Sequence, residues 1–150
     1  MTVQNRNGLV GPLVVDVNVL AYHVLQMDPR LSPLASQLAK RAPTWILPSI
    51  WKHEFVNILA TSVRTGRLTP EESARFYGAT RAIFEPVESD VDLGWALDEA
   101  NERQLSGYDA QYVVLALERQ AFLVTEDKKL IRNAPSNMAL TLEQALKLIR

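Results

Sequence analysis

The chain has no cysteine. That absence excludes disulfides and every thiolate metal site, and it is compatible with a reducing cytosol. Histidine is nearly absent too: His23 and His53 are too few and too far apart in sequence to build a histidine metal centre. Neither sign of charge dominates. A formal net charge of -1 and a pI of about 6.1 exclude a global positive field, so any contact with nucleic acid must come from local basic patches. Long apolar runs are missing as well, since the most apolar segment, Leu13 to Leu25, is interrupted by Asp16, Asn18 and His23. The start, MTVQNRNGLVGP, lacks the basic region and apolar stretch of a secretion signal. These absences lead us to expect a soluble, cytoplasmic protein that makes no membrane contact. No internal repeat, low-complexity tract or Gly/Ser-rich linker divides it.

What is present is enough apolar material for a core. With 47% hydrophobic residues over 150 positions, the chain can fold as one domain. We expect a single domain over 12–150, preceded by a polar, glycine-containing lead-in over 1–11 that is flexible. Short apolar runs alternate with helical patterns, which is the signature of an α/β fold with a parallel sheet. The strand candidates are Pro12 to Val15, Trp45 to Leu47, a run near Pro86 to Val87, Phe122 to Thr125, and Met138 to Leu140.

Helix starts are marked by residues whose side chains accept hydrogen bonds from first-turn amides. Thr69, Pro70, Glu71 and Glu72 spell a capping box with proline at the first helical position, and Thr141 with Gln144 spells another. Ser32 with Pro33 opens a helix, and Ser89 with Asp92 opens one running to about Gln104. Ser106 with Asp109 opens the next, and Ser49 is read as the cap of a helix from Ile50 to about Thr65, closed by Gly66.

Four acids fall where the chain changes element: Asp16, Glu54, Asp109 and Asp127, in VVDVNVL, WKHEFVNIL, GYDAQYVVLA and LVTEDKKL. Three of them have a plain alternative role. Asp16 and Asp127 each follow a strand and suit a helix cap, and Asp109 suits the capping-box acid of Ser106. Glu54 has no such explanation. It is expected in the interior of its helix, on an apolar stripe with Ile50 and Ile58, and Asn57 shares its side. A carboxylate buried without a partner costs several kcal/mol (order of magnitude), so it needs a cation, a donor or water; the alternative is a solvated place at the rim or an arginine partner.

In open parallel sheets ligands bind beyond the carboxyl ends of strands, where strand order reverses, and Asp16 and Asp127 occupy such ends. If all four acids gather there, their repulsion favours a bound divalent cation, and all-oxygen ligation favours Mg²⁺ or Mn²⁺ over zinc. Such a site suits phosphate chemistry: the ion would activate a water and hold a phosphate in line, with the carboxylates as ligands and the general base left open.

These segments together resemble a PIN-domain ribonuclease, and within that superfamily the VapC-type toxins of toxin-antitoxin pairs. The likeness runs from Leu13 to Leu146. VVDVNVL resembles the family's first-strand motif, with its aspartate at Asp16; PSIWKHEFVNIL resembles the helix carrying the glutamate, at Glu54; TGRLTPEESARFY resembles the helical linker; and LSGYDAQYVVLALERQAFLVTEDKKL resembles the longest signature, with aspartates at Asp109 and Asp127. The resemblance implies a three-layer α/β/α fold around a central parallel sheet of four or five strands and a homodimer. It also implies Mg²⁺-dependent endonucleolytic cleavage of RNA, and an antitoxin protein as partner. It would set Thr125 and Asn57 beside the metal ligands, and Asn18 at a position usually held by small polar residues. Glu126, beside Asp127, has no assigned role.

Other classes stay open. One is a PIN-like housekeeping or orphan nuclease with no antitoxin. A phosphatase with an aspartate nucleophile would also place Asp16 after its first strand, but Asp16-Val17-Asn18 lacks the second aspartate two positions on. A non-catalytic binding module of the same fold would have no need of the acids. Trp45, Trp51 and Trp95 sit in apolar patterns and are expected in core or interface rather than as stacking platforms. The amphipathic segment Pro70 to Phe84 can offer apolar surface to a second subunit or an antitoxin segment. Candidate phosphate contacts are Lys52, His53, Arg64, Arg67, Lys128, Lys129 and Arg132, with Lys128 and Lys129 foremost because they adjoin Asp127. Lys128→Ala should lower the logarithmic salt slope of single-stranded RNA binding by about 0.7, one phosphate contact; an unchanged slope in salt titrations removes that contact.

Overall fold

Strands this short are not stable alone; they persist because the sheet pairs them with one another and helices cover it. The protein is described here as a computed structural model over residues 11–149. Most of the lead-in expected over 1–11 lies outside the described residues. The chain runs β1 (Leu13–Val15), α1 (Val17–Leu25), α2 (Leu31–Arg41), β2 (Trp45–Pro48), α3 (Trp51–Arg64), α4 (Pro70–Phe84), a 3₁₀ turn (Glu85–Val87) and β3 (Glu88–Ser89). It continues through α5 (Leu93–Arg103), α6 (Gly107–Arg119), β4 (Leu123–Val124), α7 (Lys128–Asn133), β5 (Ala139–Leu140) and α8 (Leu142–Leu148).

All five strands are parallel, in the order β3-β2-β1-β4-β5, with helices on both faces, so the expected three-layer α/β/α fold is the observed one. Register places Val14 between Ile46 of β2 and Leu123 of β4. The chain builds outward from β1 through β2 to β3, then returns to the other side of β1 for β4 and β5. Strand order therefore reverses between β1 and β4, and the crevice at their carboxyl ends is where such a sheet offers a ligand site.

The core forms around that central strand. Leu13, Val14 and Val15 are buried, as are Trp51, Phe55 and Leu59 of α3 and Tyr112, Val113 and Leu115 of α6. Trp45 and Trp51 lie in the core, but Trp95 does not: it is 37% exposed on α5, because Ala96 and Ala100 are the residues that α5 buries.

Cap chemistry explains most helix starts and corrects two. Thr69 and Thr141 form complete capping boxes with Glu72 and Gln144, Asp92 caps α5, and Ser106 caps α6. The start of α2 belongs to Asp28, not Ser32. The Asp28 carboxylate accepts from the amides of Arg30 and Leu31 at 2.9 and 2.8 Å, while the Ser32 hydroxyl accepts from the Asp28 amide at 3.1 Å. Ser49 does not cap α3, since its hydroxyl donates to Asp90 at 2.6 Å and ties the end of β2 to the loop after β3. The run near Pro86 and Val87 is a 3₁₀ turn, with the strand following it at Glu88, as fits a proline that has no amide for a sheet ladder. Gly66 closes α3 with φ +77, a conformation that disfavours a side chain even where space is free.

Thr69→Ala should destabilise the protein by about 1 kcal/mol in urea denaturation, with Thr69→Ser close to wild type. Equal stability of all three would mean that the box contributes nothing to α4.

Candidate active site

Parallel strands all end at one edge of the sheet, and the helices that follow them begin there. α1, α3 and α7 follow β1, β2 and β4; α6 leads into the start of β4 and so begins back at the same edge. Each of these four helices contributes an acid from its cap or first turn: Asp16, Glu54, Asp109 and Asp127. The positive ends of four helix dipoles thus lie along one edge of the sheet, where they favour negative side chains.

Asp16 is the most enclosed of the set, 7% exposed. Its Oδ1 accepts from the Asn18 amide at 3.3 Å, and its Oδ2 accepts from the Thr125 hydroxyl at 2.8 Å. Thr125 is itself buried, and its hydroxyl oxygen accepts from the Asp127 amide at 3.0 Å. One threonine thereby joins the ends of β1 and β4. Burial pushes the Asp16 carboxyl up, the bonds from Thr125 and Asn18 pull it down, and the charge of Asp127 adds to the rise. Asp127 caps α7, accepting from the amides of Lys129 and Leu130 at 2.9 and 3.1 Å.

Glu54 stands in the first turn of α3, not in the helix interior as its sequence setting suggested, because β2 runs on to Pro48 and the helix starts only at Trp51. The buried stripe of α3 is Trp51, Phe55 and Leu59, so Glu54 flanks the core instead of lying on it. Its Oε1 accepts from the Tyr112 hydroxyl at 2.7 Å. Desolvation lifts the Glu54 carboxyl to about 7, opposed by the Tyr112 bond and reinforced by the charges of Asp16 and Asp109. Asp109 is raised too, chiefly by burial and then by Asp16 and Asp127, while Ser106 and Lys129 act the other way. Each of the four acids is therefore an electrostatic neighbour of at least one other.

The other expected residues divide. Asn18 and Asn57 are exposed and line a cleft of about 600 Å³ together with Glu54. Lys128 and Lys129 are exposed in the first turn of α7. Lys52 is committed elsewhere, bonded to Glu88 at 2.8 Å with Glu85 nearby. Glu126 proves structural: its carboxylate accepts from the Leu142 amide at 2.9 Å and fixes the start of α8. Tyr112 was not evident from the sequence. The available signal was a tyrosine one helical turn after Asp109 inside an otherwise apolar run, where a buried hydroxyl must find a partner.

The profile of the PIN domain family matches residues 13–135, and the chain belongs to that family, whose members are generally nucleases. Among curated proteins none matches the sequence significantly. The fold is similar to that of PAE2754 from Pyrobaculum aerophilum, with a TM-score of 0.71 and 20% identity, covering 96% of this chain and 98% of that one. It is also similar to VapBC2 from Rickettsia felis, a structure bound to a DNA fragment from their promoter, with a TM-score of 0.60 and 17% identity over 87% of this chain and 98% of that one.

PIN nucleases generally use divalent metals, and the residues can be tested against that requirement. Among the described residues no three His, Cys, Asp or Glu side chains are grouped closely enough to enclose an ion by themselves. The arrangement does not fit a dehydrated cage. It fits a hydrated Mg²⁺ or Mn²⁺ ion, which keeps several waters and needs only one or two direct carboxylates. The donors are hard oxygens, and three of the carboxyls are held above their ordinary values by burial and mutual repulsion, which a cation would relieve.

A carboxyl raised on folding contributes stability that is fully present below its unfolded value and is lost as pH climbs through its folded one. For Glu54 that window runs from 4.5 to about 7. Metal-free protein should lose stability over that range, and Glu54→Gln should flatten the loss when urea denaturation is compared at about pH 5 and about pH 8. Parallel slopes in the two proteins would place the perturbed group elsewhere.

Proposed function

We propose that the chain is a Mg²⁺- or Mn²⁺-dependent endoribonuclease, the toxin of a toxin-antitoxin pair, acting through Asp16, Glu54, Asp109 and Asp127. The observation that carries this reading is the placement of all four acids at helix starts along the carboxyl edge of a PIN-family sheet, with Asp16, Glu54 and Asp109 raised by burial and by one another. A structural role for caps alone would not require buried carboxyls to repel one another.

When bound, the ion lowers the pKa of an attacking water and offsets charge on the phosphate and the leaving oxygen. The protein's part is positioning. Thr125 holds one oxygen of Asp16 and the Asn18 amide holds the other, which fixes the carboxylate at the end of β1. Tyr112 holds one oxygen of Glu54, so the other is free to act as a ligand, directly or through water. Asp127 and Asp109 complete the acidic rim. Lys128 and Lys129 stand where they can meet the backbone of the RNA, and Lys129 is near enough to Asp109 to influence its charge.

The toxin reading is supported by the likeness of fold to VapBC2. It is also supported by apolar side chains left outside on α4 and α5, namely Ile83, Leu93 and Leu97, which suit a second copy of the chain and an antitoxin segment. A homodimer is part of the same proposal.

RNA cleavage should require Mg²⁺ or Mn²⁺, stop with chelator, and fall by roughly 100-fold or more in Asp16→Asn and in Asp109→Asn, as the loss of several kcal/mol of charge stabilisation implies. Undiminished cleavage by either variant would reject the assignment.

A further inference from the structure

We propose that the cleft beside the acids receives an unpaired nucleobase of single-stranded RNA, with Tyr108 as its stacking platform. This rests on the nuclease reading above and adds to it where the base next to the cut is held. The cleft has a volume of about 600 Å³, within the roughly 300–1,000 Å³ range of sites that hold a small planar ligand. Glu54 belongs both to its lining and to the acidic set, so a base held there is part of a nucleotide flanking the scissile phosphate.

The lining selects a base over a phosphate. Among the described residues no lysine or arginine contributes to it, and a phosphate would meet the Glu54 carboxylate there. Val17, Ile50 and Ile58 supply apolar wall. Asn18, Asn57 and His53 supply donors and acceptors around it, and each asparagine amide can offer both, as the Watson–Crick edge of a base requires. The lysines of the site stand outside, on α7, where the backbone would run.

Tyr108 completes this chamber. It sits in the first turn of α6, immediately before Asp109, with its side chain lining the cleft and 61% exposed. Tyr112, one turn further along the same face of α6, is buried, whereas Tyr108 stands at the open start of the helix, where that face runs out of the core into the cleft. A large exposed ring at a cleft mouth, next to a catalytic carboxylate, is the arrangement on which unpaired bases stack in proteins that bind single strands. A duplex keeps its bases stacked on one another and has none to insert, so it should bind poorly.

The test uses Asp16→Asn protein, in which cleavage is suppressed, and fluorescence anisotropy of a labelled single-stranded oligoribonucleotide in Mg²⁺. Adding Tyr108→Ala should weaken binding roughly 5- to 150-fold, as the loss of one base–aromatic stack implies. Tyr108→Phe and Tyr108→Trp should restore it, and an oligonucleotide carrying abasic sites should bind the parent and the alanine variant alike. Unchanged binding in Tyr108→Ala, or no rescue by Phe, overturns the base pocket while leaving the nuclease reading intact. Failure of the wild-type chain to cleave, with no RNA binding by the Asp16→Asn parent, removes both.

Discussion

The bond from the Thr125 hydroxyl to Asp16, 2.8 Å long and fully enclosed, is the contact on which the carboxyl edge of the sheet depends. A carboxylate taken out of water at the end of the central strand is costly unless a donor meets it. Thr125 meets it from the neighbouring strand, and the same oxygen accepts the amide of Asp127. The ends of β1 and β4 are locked together at the point where strand order reverses. The register that buries Val14 and Leu123 is therefore also the register that brings two acids into one crevice.

Around that bond the molecule sets opposing terms against each other. Burial and mutual repulsion lift the pKa values of Asp16, Glu54 and Asp109, whereas hydrogen bonds from Thr125, Tyr112, Ser106 and the Asn18 amide stabilise the charged forms and pull them back down. Helix starts add a further favourable field. The balance leaves a site that is supported by the fold yet not neutralised by it, with Glu54 poised near neutral pH. A site of that kind lowers the stability of the empty protein and gains it back when a cation arrives, which is the usual relation between stability and function at active sites.

How much of this was legible in the sequence follows from the range over which each signal acts. The capping boxes at Thr69 and Thr141 are contacts between residues three apart, and they are present as read. The parallel sheet announced itself through short apolar runs between helices, and the aspartates after β1 and β4 fell at helix caps for a local reason. Two of the misreadings, at Ser49 and Glu54, involve partners distant in sequence. Ser49 has the composition of a cap but is drawn away by Asp90 across two strands. Ser32 yielded its place to Asp28, whose carboxylate reaches the amides better from one turn back. Glu54 lies among isoleucines in the sequence, but its actual partner, Tyr112, is 58 residues away, and nothing local pairs the two. Trp95 follows an apolar pattern, yet α5 packs through alanines and leaves the ring partly outside.

The central claim is that acids from four helix starts share one divalent ion. The most direct measurement is an anomalous difference map from crystals of the protein grown with Mn²⁺. The account predicts a peak in the crevice between the carboxyl ends of β1 and β4, coordinated by Asp16 and at least one of Glu54, Asp109 and Asp127, with waters filling the remaining positions. A crevice without a peak at saturating Mn²⁺, or an ion bound only elsewhere, would contradict it.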